Sequence, residues 1–336
     1  MAIAFLNFSG RRVPAWLGAG IGVMMLCVPL PVIAEILVTE RLDGSAIKLV
    51  IERPEHEAEI PAVLFIDGSG CQSANREGFQ KFSRLPDSFG KSVAKVFVDK
   101  PGVNPDGIRG ECNQAFLDYY TIQQRVLDHL RAIQHLRTHA PWWNGEIFLV
   151  GWSDGAMIGV SVSSYTPEVK KSVFLALGGG IPMTRQFEDF ILCAPDRTET
   201  RETCIEDLRE TYAGIRANPS SNKTWLGDAN SYKAWATRLD AVEYHLIKDL
   251  RIPILIIHGE NDRDSVPVEA ARELIRMLEN DGSVNFEYWE VPDAGHDIAI
   301  NTEGQSDSVR NAMFNWLFGQ DPGIGGPPSF GGAASE

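Results

Sequence analysis

Short apolar runs recur along the chain at residues 62–66, 93–98, 146–150, 172–177, 253–257 and 284–291, each bounded by Gly, Pro or Asp. Most do not alternate apolar with polar positions, which predicts strands covered on both faces, as in a parallel sheet. Upstream, β-branched segments at 36–39 and 46–52 flank Asp43-Gly44-Ser45 and predict a hairpin. Leu117, Tyr120, Val126, Leu130, Ile133 and Leu136 recur at helical steps, or their multiples, and predict one helix that Pro141 stops. Further helices are predicted at about 153–165, 267–280 and 307–317. Strands alternating with helices define an α/β chain with a mostly parallel, doubly wound sheet. In such a sheet the site lies at the carboxyl ends of the strands.

About seventy residues, 181–250, break the alternation with several helical patterns. That is too long for a plain loop. The reading is an inserted helical cap carrying Cys193, Cys204, Trp225, Tyr232, Trp235 and Tyr244, or an extra helical layer with its own small core. Residues 1–34 read as an export signal, with Arg11 and Arg12 before an uncharged stretch that ends in Val32-Ile33-Ala34. A retained anchor is the alternative. The α/β domain then spans 35–320, and 321–336, rich in Gly, Pro, Ser and Ala, reads as a disordered tail.

Composition narrows the function. A net charge of −14 argues against nucleic acid and anionic membranes, which clustered Lys and Arg would have to neutralise. No stable membrane insertion is expected once the signal is removed. Beyond it, Cys71, Cys112, Cys193 and Cys204 suit disulfides in a periplasmic or secreted protein, and their spacing matches no zinc site.

Gly151-Trp152-Ser153-Asp154-Gly155 matches G-x-S-x-G between a strand and a helix. This is the setting of a sharp turn that lifts a serine hydroxyl clear of the sheet, with glycines where side chains would collide. Such a hydroxyl needs a base within reach and an acid that orients the base. Glu260, Asp262 and Asp264 follow one strand, and Ala294-Gly295-His296-Asp297 follows the next. His258 reads as structural. His135 and His139 stand four apart on a helix without an acidic ligand and read as a solvated face.

The set G-W-S-D-G, H-G-E-N-D-R with V-P after it, and A-G-H-D resembles the α/β-hydrolase superfamily over about 47–317. In detail it looks most like the dienelactone hydrolase and prolyl-oligopeptidase-like branch, although Asp154 is not the usual residue after the nucleophile there. The resemblance implies Ser153 as nucleophile, His296 as base and, three residues after the glycine of H-G, Asp262 as the acid, in the order this fold uses. It leaves Asp264 as a surface turn residue. It also implies an oxyanion hole from the backbone N–H of Asp154 and of Ser69 or Gly70, in a loop with Asp67 where relatives often have histidine. Asp99-Lys100-Pro101-Gly102 resembles a turn common in the superfamily, with Lys100 as a surface lysine. The strands before Cys71 and Cys112 are neighbours by resemblance, which implies Cys71–Cys112 and Cys193–Cys204 pairs.

The reading is therefore a serine hydrolase of the α/β-hydrolase fold, without metal or cofactor, that cleaves a carboxylic ester of a small-molecule or peptide acyl substrate through an acyl-enzyme. A peptidase or thioesterase of the same fold, or a catalytically silent binding protein, is the alternative.

Overall fold

The computed structural model describes residues 32–55, 59–74, 77–86, 89, 92–103, 112–299 and 305–319. Residues 1–31 of the export signal expected at 1–34, and the tail expected at 321–336, lie outside them. Among the described residues no helix is long and apolar enough to cross a membrane.

The apolar runs become one eight-stranded sheet in the order β1-β2-β4-β3-β5-β6-β7-β8. The strands are β1 Val32–Glu40, β2 Ala46–Pro54, β3 Ile60–Ile66, β4 Ala94–Val98, β5 Trp143–Trp152, β6 Val169–Leu175, β7 Ile254–Gly259 and β8 Phe286–Val291. β1 and β2 form the antiparallel hairpin, β2 joins β4 antiparallel, and every later pairing is parallel. The mostly parallel α/β architecture is thus the one the hydrophobic pattern predicts. β1 includes Val32, Ile33 and Ala34, which pair with Pro54, Arg53 and Glu52.

Helices cover both faces. One core lies between the sheet and α3 Ile122–His139, α4 Asp154–Tyr165, α8 Tyr244–Ile247 and α9 Val268–Asn280. The other is closed by α1 Glu77–Phe82 and α10 Gln305–Phe318, whose Phe79, Phe82 and Phe314 surround Phe65 of β3.

The single helix predicted through 117–136 is two helices, because α2 Gln114–Tyr119 ends before α3 begins. Asn113 and Thr121 cap them, accepting from the N–H of Phe116 and Gln124. The periodicity runs through the break because the halves serve different cores: Phe116 and Tyr120 pack with Ala234, while Val126, Ile133 and Leu136 face the sheet.

Residues 181–250 form α5 Met183–Gln186, a π-helical turn Phe187–Ile191, α6 Arg201–Ala217, α7 Tyr232–Ala236 and α8. Phe187, Tyr212, Ile215 and Trp235 build a separate small core there. Tyr244 and Ile247 belong instead to the core under the sheet.

Candidate active site

β5 ends in Trp152 and α4 starts at Asp154, so the reversal falls on Ser153. Ser153 has φ 56° and ψ −124°, a conformation costly for a non-glycine residue. A Cβ on Gly151 would lie 2.4 Å from the Gly155 carbonyl oxygen, and one on Gly155 would lie 2.0 Å from that of Ile66. Both glycines are therefore steric requirements of the turn. The Ser153 N–H donates to the Leu175 carbonyl at 2.9 Å, tying the elbow to β6.

The turns after β7 and β8 interlock. A Cβ on Gly259 would lie 2.3 Å from the Gly295 carbonyl oxygen, and the Asn261 N–H donates to the Ala294 carbonyl at 2.8 Å. This contact brings Asp262 and His296 together: the His296 Nδ1 is 2.6 Å from Asp262 Oδ2. The other Asp262 oxygen accepts from the Val266 N–H at 3.2 Å, and the residue is 2% exposed. Of the rival acids, Asp264 is exposed and pairs with Arg197, while Glu260 accepts from the Asp293 N–H. His258 is buried, with Nε2 2.9 Å from the Val266 carbonyl oxygen and its protonation disfavoured by burial. His135 and His139 stack on each other at the surface of α3.

Ser153 and His296 line one cavity of about 710 Å³ with Ser69, Gly70 and Asp154. Its roof comes from the insertion, including Met183, Phe187, Trp235 and Arg238. Trp152 forms a side wall, its indole N–H donating to the His296 carbonyl at 3.2 Å.

The loop after β3 is held from several directions. Gly68 packs so close to the elbow that a Cβ there would lie 3.2 Å from Ser153 Cβ. The structure brings Cys71 and Cys112 together as a disulfide, with Cα atoms 5.3 Å apart, and likewise Cys193 and Cys204 within the insertion at 5.8 Å. Lys100 is not the surface lysine expected of the turn after β4. Its side chain is fully buried, with Nζ donating to Asp67 Oδ2 at 3.0 Å and to the Gly70 carbonyl at 2.8 Å. Burying an ammonium requires a counter-charge, and Asp67 supplies it. Asp99 adds a third tie, accepting from the Ser73 hydroxyl and the Ala74 N–H.

Three residues of the site, Tyr120, Arg238 and Glu243, escape sequence reasoning. Asp154 pairs with Arg238 at 3.0 Å and accepts from the Tyr120 hydroxyl at 2.7 Å. Arg238 is buried between the rings of Trp235 and Tyr120, with its guanidinium carbon 5.0 and 5.3 Å from their centres. Glu243, the third, lines the cavity with its carboxyl pushed up to about 7, mainly by burial and further by the charge of Asp154. The signal available was Asp154 itself, an acid beside a nucleophile that calls for a cation elsewhere in the chain.

The model of the alpha/beta hydrolase family matches residues 63–306. No curated protein matches the chain. Among solved structures, the chain is similar to Est1E from Butyrivibrio proteoclasticus with ferulic acid bound, at TM-score 0.57 and 14% identity over 83% of this chain and 98% of that one. It is also similar to the acylaminoacyl peptidase of Pyrococcus horikoshii, at TM-score 0.56 and 16% identity, covering 85% of this chain but only 41% of the peptidase. At such identity these likenesses concern the fold, whereas the family match spans the candidate nucleophile, acid and base together: the chain belongs to the alpha/beta hydrolase family.

Proposed function

We propose that the chain is an exported serine hydrolase that cleaves a carboxylic ester through an acyl-enzyme on Ser153. The observation that carries this reading is the 2.6 Å contact of His296 with buried Asp262, in a cavity that His296 shares with a serine held at positive φ on the elbow.

Asp262 fixes the Nδ1–H tautomer of His296, which turns Nε2 toward the substrate side as a proton acceptor. As Ser153 Oγ attacks the ester carbonyl, its proton passes to His296. The carbonyl oxygen becomes an oxyanion that the N–H of Asp154 and that of Ser69 or Gly70 stabilise. Collapse of the tetrahedral intermediate expels the alcohol, which takes the proton from His296. Water then repeats the sequence on the acyl-enzyme, releasing the acid and restoring Ser153. The role of the insertion is to close the cavity and select what enters. Export is supported by the Arg11-Arg12 and apolar segment and by the cysteine pairs.

The test is labelling with a fluorophosphonate probe, followed by turnover of short and long acyl esters beside aminoacyl amides. Wild type is expected to label at Ser153 and to hydrolyse esters, and Ser153→Ala to lose both while remaining folded. A Ser153→Ala protein as active as wild type defeats the assignment, and turnover of amides alone makes the chain a peptidase.

A further inference from the structure

Of the cavity acids to which the acyl-transfer steps give no task, Glu243 is the buried one. Glu243 stands just before α8, is 8% exposed, and lines the same cavity as Ser153 and His296. Gly179 backs it: the Tyr244 N–H donates to the Gly179 carbonyl at 3.1 Å, and a Cβ on Gly179 would lie 3.5 Å from Glu243 Cβ.

Two of the other cavity acids have cationic partners. Asp154 is matched by Arg238 and Tyr120, and Asp264 by Arg197. Glu243 differs, because no Lys, Arg or His among the described residues forms an ion pair with it, and the charge that bears on it is the like charge of Asp154. An acid kept in a cavity wall without a cation is costly to ionise, and its carboxyl titrates near 7 for that reason. A positively charged ligand group reverses the balance, since it pays for the charge with a direct ion pair in a place shielded from water. Asp228 and Asp297 line the cavity too and give it the same sign, while the arginine there is already committed to Asp154. Beside Glu243, Met157 and Ala241 line both this cavity and an adjoining, largely apolar one of about 520 Å³. The surroundings of the acid thus suit methylene groups leading to a cation.

We propose that Glu243 is a specificity-determining residue that receives an ammonium group on the substrate, so that the chain takes esters carrying a positive charge on an aliphatic stem ahead of neutral esters of equal size. The proposal rests on the serine-hydrolase reading and names its substrate class.

Two pairs of esters test it. The first is the para-nitrophenyl esters of ε-aminocaproic and heptanoic acids, which exchange an ammonium for a methyl on the acyl side. The second is the butyrates of choline and of its neutral carbon isostere, which exchange a trimethylammonium for a tert-butyl group on the alcohol side. In at least one pair, kcat/KM of wild type should favour the cation by about tenfold or more, as expected of a hydrogen-bonded or buried charge pair. Glu243→Gln should bring that ratio close to one. Independently of any variant, hexylammonium should protect Ser153 from the fluorophosphonate better than hexanol does. Ratios near one in both pairs, a preference that survives in Glu243→Gln, or equal protection by hexanol overturns the proposal. If wild type neither labels nor hydrolyses the neutral esters, the serine-hydrolase reading has failed. If it does both without preferring the cation, only the role of Glu243 has failed.

Discussion

Lys100 offers the sharpest test of how the loop after β3 is held. Its ammonium is buried against Asp67 at 3.0 Å and the Gly70 carbonyl at 2.8 Å, so Lys100→Met removes a counter-charge and a backbone anchor together. Losing one partner of a buried ion pair typically costs about 3–5 kcal/mol, because the remaining charge keeps its desolvation penalty. Pairing Lys100→Met with Asp67→Asn removes that charge as well and should return stability to within about 1–2 kcal/mol of wild type. The rate should not return with it. Without the bond to Gly70, the donors of the loop are no longer aimed at the oxyanion, and a single such donor is worth about 3–4 kcal/mol in the transition state. We therefore expect kcat to fall by about ten- to a hundredfold in both variants, part of what complete loss of a donor does. Urea denaturation and ester turnover on the same preparations read the two effects. A single variant within 1 kcal/mol of wild type, or a double variant that regains full kcat, would refute the reasoning.

Asp262→Asn should lower kcat by about ten-thousandfold, as neutralising a triad acid does, whereas Asp264→Asn should have little effect because that side chain points to solvent and Arg197; the reverse result moves the acid to Asp264. Reduction, or Cys112→Ser, should lower kcat in protein that is still folded by far-ultraviolet circular dichroism, because the bond to Cys71 holds the loop carrying Ser69 and Gly70. Breaking Cys193–Cys204, whose cysteines are 11 residues apart, should cost at most about 3 kcal/mol and act on substrate binding; a loss of kcat alone contradicts this. His129 is fully buried, and burial and the nearby Arg125 lower its titration from 6.5 to about 3. The unfolded chain binds this proton below pH 6.5 and the folded one only near pH 3, so the stability is intact above 6.5 and declines between these values by at most about 5 kcal/mol. His129→Gln should flatten that decline in urea titrations, and an unchanged slope excludes the mechanism.

The sheet was legible because its inner strands are buried on both faces and read as unbroken apolar runs, and because the residues that end them are turn formers. The elbow and the turns holding Asp262 and His296 were legible for a related reason: each is a local sequence event directly after a strand. What escaped depends on neighbours distant in sequence. Nothing local tells Lys100 that β3 and β4 are adjacent and that Asp67 waits at the end of the other strand. Arg238 and Glu243 sit in short helical turns whose apolar periodicity is too brief to orient, so their place over Ser153 emerges only when the insertion folds back. The six-residue α1 is below the length at which a helical period can be recognised. The break before α3 was written in the caps Asn113 and Thr121, but the periodicity around them was the louder signal.

The separate core of the insertion has an evolutionary consequence. The segment between Met183 and Leu239 begins and ends at one place, since the Thr184 N–H donates to the Leu239 carbonyl at 3.1 Å, and between those ends it is held by its own aromatic cluster and disulfide. Such a roof can diverge, or be transplanted from another chain, if it matches this seam and the packing of Ala234 on Phe116 and Tyr120, while the sheet and the elbow below it stay as they are. The buried ion pair across this boundary sets an electrostatic condition: Asp154 draws its arginine from this segment, so any foreign roof has to bring a cation to the same spot, or arrive together with a change at Asp154.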